Sequence, residues 1–537
     1  MTSHAGGGGG LHAEVVHEGT VTSIDIGGRE DIEKLRGGSV GLLLILFLCV
    51  TGSAPLAVFM FNFPFAVGAG NEKYAPAAFF FATIVLTIFS IAYVQMARRL
   101  RAAGGMFTYV SHGLGRTLGM VSGLSLAAAY TLFGASLIGG FAAFAQAKVT
   151  SAFDMESPIN WIWFAILGIL GMSALGYFDI PISAKILGVF LITELFIIFA
   201  FTIGVFIQGG NDGVSIDPVL PWNAFKGIAF GLGIFIAFWS WVGFEAAPNY
   251  AEESKDPHRT IPIAVYVSCV FVGVMYTLAS WASVSSYGPG NEAFDALTNG
   301  VTSVFGGEQA VDYLNFNVVP ANELIGTWLG QLMSVFIITG AFACAAALNN
   351  AGLRYTYSLG REGLLPKALG RTHPKHKTPH VAVITQGAIA LAIVLIFRFA
   401  DRAPLDVYYW IAVQGVIWII LVQALTSLSV WAYFRKLPAE ARSFWKTTVA
   451  AWIGFLAQIL VLYLCYKYLS ALAAGDVLYV KELGQIGPWG GFEIDITWLG
   501  IIGVLVPVAA LVYALALRSS NPAKYERAGR FINEGEV

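Results

Sequence analysis

The chain has 537 residues, of which 57% are hydrophobic and only 12% are charged, and its mean hydropathy is +0.69. Soluble domains contain about 25% charged residues, so this composition excludes a soluble multidomain enzyme and a disordered protein. The formal net charge of -2 gives no indication of a nucleic acid partner. The four cysteines lie in apolar runs without metal-binding or redox spacing, and we expect no bound metal or cofactor: Cys49, Cys269, Cys344 and Cys465.

Apolar segments long enough to cross a membrane follow a polar, glycine-rich tail at residues 1–37. A helix needs about 20 consecutive apolar residues to cross a bilayer. Twelve runs meet this length approximately: 41–68, 76–97, 117–146, 160–178, 184–207, 227–250, 262–286, 326–350, 380–398, 406–434, 448–470 and 497–517. Because lipid offers no partners to open sheet edges, the sequence predicts an all-α membrane protein with 12 transmembrane helices. A second polar tail is expected at residues 519–537.

The positive charges of the connecting segments predict the orientation of the chain. If the N-terminus is cytoplasmic, most of the 31 Lys and Arg residues fall on the cytoplasmic side. Cytoplasmic loops of membrane proteins carry such an excess of Lys and Arg. We therefore expect a multi-pass protein of the cytoplasmic (inner) membrane with both termini in the cytoplasm.

The first apolar run contains a helix-breaking motif, TGSAPL, near its middle. Gly52 allows the helix to unwind, and Pro55 can begin a second half-helix because its missing N–H would have no partner there. The alternative is a simple proline kink, which is common in membrane helices. On this motif alone, both interpretations remain open.

The sixth run has its own interruption, within WSWVGFE, where Val242 and Gly243 weaken the helix beside Glu245. The two interrupted runs are five apart, so they occupy corresponding positions in two halves of five helices. This arrangement predicts an inverted repeat with a binding site between discontinuous helices. The predicted organisation is a first repeat at 38–207, a second repeat at 227–434, and two further helices within 447–518.

Unwound backbone offers a way to bind a small polar solute without charged side chains. Free amides at the start of a half-helix suit a carboxylate, and free carbonyls at the end of the preceding half suit an ammonium group. An α-amino acid carries both groups on adjacent atoms. We therefore expect that one break can bind an amino acid without any charged side chain.

Three motifs, in order, resemble those of the amino acid–polyamine–organocation (APC) transporters, over nearly all of residues 40–435. They are ARRLRAAGGMFTYVSHGLGRTLGMVSG after the second run, FWSWVGFEAAPNYAEESKDPHRTIPIAV in and after the sixth, and NNAGLRYTYSLGREGLLPKAL at the end of the eighth. In the first motif, Arg101 and Phe107 replace a family proline and tyrosine. The resemblance implies a LeuT-like 5+5 inverted repeat with two additional C-terminal helices, and secondary active transport by alternating access.

The resemblance also implies which residues bind the substrate. The family's glycine-rich carboxylate clamp falls on Gly52, Ser53 and Ala54, next to Thr51, and the sixth-helix aromatic that covers the substrate falls on Trp239. Ala54 and Pro55 depart from the family pattern, because a methyl group crowds the clamp and proline lacks an amide donor. The predicted substrate-binding residues are Thr51, Gly52, Ser53, Ala54, Phe238, Trp239, Ser240, Trp241 and Gly243.

Two acidic residues within the spans are candidates for coupling transport to an ion gradient. A carboxylate in a membrane helix is costly and is a functional candidate by default. Glu194 lies in the fifth run, at a position where many family members have lysine, and Glu245 follows the sixth-run break. We expect a proton gradient, or alternatively a sodium gradient, to drive transport; a purely structural role for either residue is the alternative.

Charged residues after the sixth run predict a solvated ion-pair network at the inner mouth with Arg98, Arg99 or Arg354: Glu252, Glu253, Lys255, Asp256 and Arg259. The sequence favours a proton-coupled symporter or exchanger of an amino acid, acting as a monomer or homodimer. An amine or polyamine transporter of the same fold is the main alternative. A membrane enzyme or channel is a weaker one, because the spans show no nucleophile–base set or ring of charges.

Overall fold

The structure, a computed structural model, describes residues 35–100, 103–155, 158–299, 315–469 and 498–529. Residues 1–34 and 530–537 of the two predicted tails lie outside these ranges. Within the described ranges the chain is helical, and its extended pairing is limited to one isolated bridge between Val40 and Ser254. The predicted all-α fold class is confirmed.

The α-helices are numbered here in chain order, and they share a high content of apolar residues. Their bounds are α1 (Leu42–Gly52), α2 (Pro55–Ala57), α3 (Phe63–Ala66), α4 (Ala75–Ala97), α5 (Gly105–Leu114), α6 (Arg116–Ala152), α7 (Trp161–Tyr177), α8 (Ile180–Gln208), α9 (Phe230–Trp239), α10 (Pro257–Ser285), α11 (Glu292–Asn299), α12 (Val318–Leu324), α13 (Thr327–Arg361), α14 (His380–Phe399), α15 (Pro404–Phe434), α16 (Ala450–Lys467), α17 (Trp498–Ser520) and α18 (Pro522–Arg527).

Ten helical segments of the described chain are long and apolar enough to cross a membrane. The first of them, Leu42–Ala97, is a 56-residue composite that includes α1 to α4, so it covers two of the predicted spans. The apolar helix α7 is shorter, at 17 residues. These findings support a multi-pass membrane protein, and the count of twelve helices stays a prediction.

Helix α6 packs extensively against both α13 and α15, and α1 packs against α8, α10 and α13. The outer surface is apolar rather than charged. Leu167, Ile192 and Val512 are 63%, 58% and 60% exposed on α7, α8 and α17. Apolar side chains of this kind on the outside of a helical bundle are suited to contact with lipid.

The first span is broken where the sequence predicts. Helix α1 ends at Gly52, Ser53 follows as its C-cap, and Ala54 adopts a left-handed conformation with φ of 51°. Pro55 then opens the second half at its first helical position, where its missing N–H costs no hydrogen bond. The second half is irregular, because π-helical turns at Val58–Asn62 and Val67–Asn71 flank α3. The break is confirmed and the simple proline kink is excluded.

The sixth span is broken as well. Helix α9 ends at Trp239, turns follow, and Gly243 has a φ of 120° before a 3₁₀ segment at Phe244–Tyr250. Only glycine adopts such a backbone conformation without strain. The predicted interruption is confirmed, and the glycine supplies the required backbone geometry.

The two breaks contact each other through their backbones. A Cβ built on Gly243 would lie 2.5 Å from the Gly52 carbonyl carbon, and one built on Gly52 would lie 3.4 Å from the Gly243 Cα. No real side chain tolerates the first of these distances without a shift of the backbone. Glycine at position 243 therefore allows two interrupted helices to meet at the centre of the bundle.

Replacing this glycine should separate the two breaks. We expect Gly243→Ala to destabilise the purified protein by about 2 kcal/mol or more, because the new methyl group overlaps the Gly52 backbone and the φ is strained. Thermal unfolding followed by tryptophan fluorescence measures this change. Gly134→Ala in α6 is the matched control, since its Cβ would meet side chains only at 3.5 Å or more. Equal stability of the two variants would contradict the prediction.

Candidate functional site

A narrow cavity lies where the two broken helices meet, with a volume of about 20 Å³. A cavity of this size holds about one water molecule, so a larger solute can bind only after the lining residues move apart. Its lining comes from both breaks and from α6, α13 and α15: Gly52, Ser53, Ala54, Val58, Asn62, Phe133, Ser136, Leu137, Trp239, Ser240, Val242, Cys344, Leu348, Tyr408 and Ala412.

Five of the nine predicted binding residues line this cavity: Gly52, Ser53, Ala54, Trp239 and Ser240. The other four, Thr51, Phe238, Trp241 and Gly243, lie outside its lining. Trp241 packs edge-on against Tyr276, with ring centroids 5.3 Å apart, and its indole N–H donates to the Cys269 carbonyl at 3.4 Å. Gly243 contacts Gly52 instead. A direct role of these four in binding stays a prediction.

Several lining residues were not predicted from the sequence. Asn62 donates from its amide to the Ser240 hydroxyl at 2.8 Å and so joins the two broken spans. Ser136 donates to the Tyr408 carbonyl at 2.8 Å, and the Tyr408 ring stacks on Trp239 at a centroid distance of 5.9 Å. The sequence offered a signal for Asn62, because a single amide within an apolar run is a candidate for a functional role. It offered no such signal for Phe133, Ser136 and Tyr408.

The carbonyl ends of both first halves border the cavity. Helix α1 ends at Gly52 and α9 ends at Trp239, and both residues are in the lining. Their carbonyl ends carry partial negative charge. The Gly52 carbonyl accepts a hydrogen bond from the Cys344 thiol at 3.3 Å, and the Ser53 carbonyl accepts one from the Tyr276 hydroxyl. Each carbonyl has a second lone pair, so this end of the site suits an ammonium group.

The amide ends of both second halves are capped by buried carboxylates. Glu194 accepts from the Leu56 backbone N–H at 3.1 Å, and Glu245 accepts from the Gly243 N–H at 2.9 Å. Glu194 and Glu245 are both buried, with exposed fractions of only 1% and 0%. Each predicted coupling residue therefore binds one broken helix directly, and neither belongs to the lining of the cavity.

The two carboxylates differ in their remaining contacts. The second oxygen of Glu245 accepts from the Tyr130 hydroxyl at 2.8 Å, which connects the sixth-span break to α6. The Tyr93 hydroxyl also donates to the Glu245 backbone carbonyl at 2.9 Å. By contrast, Oε1 of Glu194 has no hydrogen-bond partner among the described residues. It lies beside Gly340, where a Cβ would approach the carboxylate at 3.3 Å. A buried carboxylate oxygen of this kind is a position where a proton, a cation or a water molecule can bind.

The bundle is closed at one face by two ion pairs between the end of the sixth span and α13. This face, called the basic face below, carries Arg354, Arg361, Lys367 and Lys524. Arg354 donates to both oxygens of Glu253 at 2.9 and 3.1 Å. Arg361 donates to both oxygens of Glu252 at 3.2 and 2.7 Å.

Of the predicted partners of the segment after the sixth run, Arg354 is confirmed, but the prediction that the network is solvated is wrong for these two pairs. The Arg354 and Glu253 side chains are 1% and 2% exposed, and those of Arg361 and Glu252 are 7% and 2% exposed. Arg98 and Arg99 are not the ion-pair partners among the described residues. The sequence did not show that these pairs are buried rather than solvated. Their burial arises because α13 is long enough to bring its last, basic turns against the end of the sixth span.

Searches against known proteins found transporters of several solutes. A family profile described as amino acid permease matches residues 41–483. The low-affinity putrescine importer PlaP of Escherichia coli (strain K12) is 25% identical over 330 residues, covering 60% of this chain and 67% of the importer. The branched-chain amino acid permease BcaP of Bacillus subtilis (strain 168) is 21% identical over 371 residues, covering 65% of this chain and 73% of the permease. The methylthioribose transporter of the same organism is 24% identical over 355 residues, covering 61% of this chain and 68% of that transporter.

Breaking the buried ion pair at the basic face should destabilise the protein strongly. We expect Arg354→Met to cost about 3–5 kcal/mol, because it leaves the Glu253 carboxylate buried without its cation. The double variant Glu253→Gln, Arg354→Met should recover part of this loss in a thermal unfolding experiment. Arg36→Met is the matched control, since Arg36 is 54% exposed in its pair with Asp179 and should cost at most about 1 kcal/mol. An equally small effect of Arg354→Met would contradict the prediction.

Proposed function

The chain belongs to the amino acid permease family, and on this premise we propose that it transports a small, neutral amino acid by alternating access. The observation that carries the proposal is the cavity at the two helix breaks. Its volume in this conformation is about 20 Å³, room for about one water molecule, so substrate binding requires the lining to open. The cavity adjoins the carbonyl ends of α1 and α9, which suit the α-ammonium group.

The side chains of the cavity support a solute without net charge. The lining is made of small, apolar, aromatic and uncharged polar residues and includes no Asp, Glu, Lys or Arg. A polyamine has two or more cations that would need buried anionic partners. The Trp239 face adds a cation–π surface for one ammonium group, worth roughly 0.5–2 kcal/mol. These features fit a zwitterion with a compact side chain.

We further propose that Glu194 and Glu245 couple transport to a proton gradient. Each carboxylate accepts a backbone N–H from one broken helix. A proton on the carboxylate weakens these charge-assisted hydrogen bonds and so loosens the connection to the broken segment. Sodium is the alternative ion for Glu194, whose Oε1 has no hydrogen-bond partner among the described residues. Uptake with and without sodium at a fixed pH gradient distinguishes the two ions.

An amine is the second candidate substrate, and a specific observation favours it. The amide that a substrate carboxylate would use at the first break, that of Leu56, already donates to Glu194. Pro55 has no amide hydrogen to offer. An amine without a carboxylate would need only the carbonyl ends. A membrane enzyme or channel has no comparable support from the site.

The positive charge of the basic face supports a cytoplasmic location for it. With that orientation, both termini are cytoplasmic and the buried ion pairs close the inner side of the bundle. The proposed membrane is the cytoplasmic one. A monomer is sufficient for this mechanism, because both broken spans and the two acidic residues come from one chain.

Replacing Glu245 tests its role in coupling. In proteoliposomes, we expect Glu245→Gln to abolish pH-gradient-driven accumulation of radiolabelled alanine, while binding measured by thermal shift is retained. The neutral amide can still accept from Gly243 but cannot carry a proton. Glu323→Gln is the matched control, since this carboxylate is exposed on α12. Undiminished accumulation by Glu245→Gln would remove Glu245 from the coupling mechanism.

Competition between matched solutes tests the class of substrate. We expect excess alanine to inhibit the uptake of radiolabelled alanine, and its decarboxylated analogue ethylamine to inhibit at least tenfold less, since the proposed substrate is a zwitterion and ethylamine lacks the carboxylate. Putrescine is the polyamine control. If ethylamine or putrescine competes better than alanine, the amine alternative replaces the amino acid proposal.

A further inference from the structure

A second, larger cavity lies at the basic face, between the end of α13 and the C-terminal helix α18. Its volume is about 730 Å³. Four of its lining residues are cationic, namely Arg361, Lys367, Lys524 and Arg527, and one is acidic, Glu362. It is separate from the cavity at the helix breaks and shares no lining residue with it.

Two of the five charged groups already have strong partners. Arg361 is paired with Glu252, and a Glu362 carboxylate oxygen accepts from the Gly529 backbone N–H at 2.7 Å. The other three cations, Lys367, Lys524 and Arg527, have no ion-pair partner among residues 35–100, 103–155, 158–299, 315–469 and 498–529. The cavity therefore has an excess of positive charge.

The remaining contacts hold one of these cations at the cavity wall. The Lys524 ammonium donates to the Tyr513 hydroxyl at 3.4 Å, and that hydroxyl donates to the Leu364 carbonyl at 3.0 Å. Tyr513 belongs to the last apolar span, and its neighbours Val512 and Leu515 are 60% and 49% exposed. Tyrosine is typical of the boundary between the membrane and water, so the cavity opens next to that boundary.

We propose that this cavity binds a phosphate-bearing anion. Three cations without carboxylate partners, presented on two helical ends around one cavity, form an arrangement suited to the several oxygens of a phosphate. The position beside the exposed face of α17 suits the headgroup of an anionic phospholipid. A soluble phosphate compound offers the same chemistry from the aqueous side, and the experiment below separates the two sources.

Binding to the full-length protein tests the proposal in two arms. In the first, protein in nanodiscs of phosphatidylcholine is titrated with short-chain phosphatidylglycerol, and bound lipid is counted by native mass spectrometry. In the second, detergent-solubilised protein is titrated with ATP or inorganic phosphate by calorimetry. The test variant, called the cavity variant, carries Lys367→Gln, Lys524→Gln and Arg527→Gln. These changes should weaken the affinity for the ligand that binds by on the order of tenfold or more.

A matched variant removes the same charge from outside the cavity. Arg371→Gln, Lys375→Gln and Lys377→Gln replace three exposed cations of the α13–α14 connection, and should retain binding. The site is supported if the lipid or the soluble phosphate binds, and if the cavity variant weakens that binding while the matched variant retains it. The arm in which binding is seen identifies the source of the ligand. Equal loss in both variants shows non-specific attraction and overturns the proposal, as does absence of binding in both arms. If the triple variant unfolds, the single variant Lys367→Gln, at an exposed position, provides the same comparison.

Discussion

The close contact between Gly52 and Gly243 is the constraint on which the rest of this architecture depends. Two spans that end in the middle of the bundle expose unpaired backbone groups, which are costly away from water. Bringing the two breaks together places these groups around one cavity and lets a few side chains satisfy them. Glycine at position 243 is required both by its φ of 120° and by the approach of the Gly52 carbonyl carbon.

The two ends of each break have different partners in the protein. Buried carboxylates, Glu194 and Glu245, bind the amide ends, while the carbonyl ends of α1 and α9 border the cavity. The two sides of the site therefore differ. The carbonyl ends favour a positive group, and the amide ends are bound by carboxylates, which can exchange a proton. In the proposed mechanism, this asymmetry links recognition of an ammonium group to the ionisation of two acids, neither of which lines the cavity.

The sequence allowed the class of the molecule to be predicted well, because long apolar runs and helix-breaking residues act locally. The breaks at Ser53–Ala54 and at Gly243 and the resemblance to APC transporters are confirmed. The pairings of Asn62 with Ser240 and of Tyr130 with Glu245 could not be predicted, since the members of each pair are more than a hundred residues apart. Arg354 was among the predicted partners of the segment that contains Glu253, but the burial of that pair was not predicted. Burial of the charged pairs depends on helix packing, which no local pattern encodes.

Protection of a cysteine in the cavity at the two breaks would show directly whether the substrate binds there. Cys344 lines that cavity, whereas Cys465 is buried in α16 outside its lining. One variant keeps Cys344 and the other keeps Cys465, and the other three cysteines are replaced in each. Both variants are labelled with a small methanethiosulfonate reagent, with and without the amino acid that best inhibits uptake. If the substrate binds in this cavity, saturating substrate slows labelling of Cys344 and leaves that of Cys465 unchanged. Labelling of Cys344 at the same rate with and without substrate would contradict it.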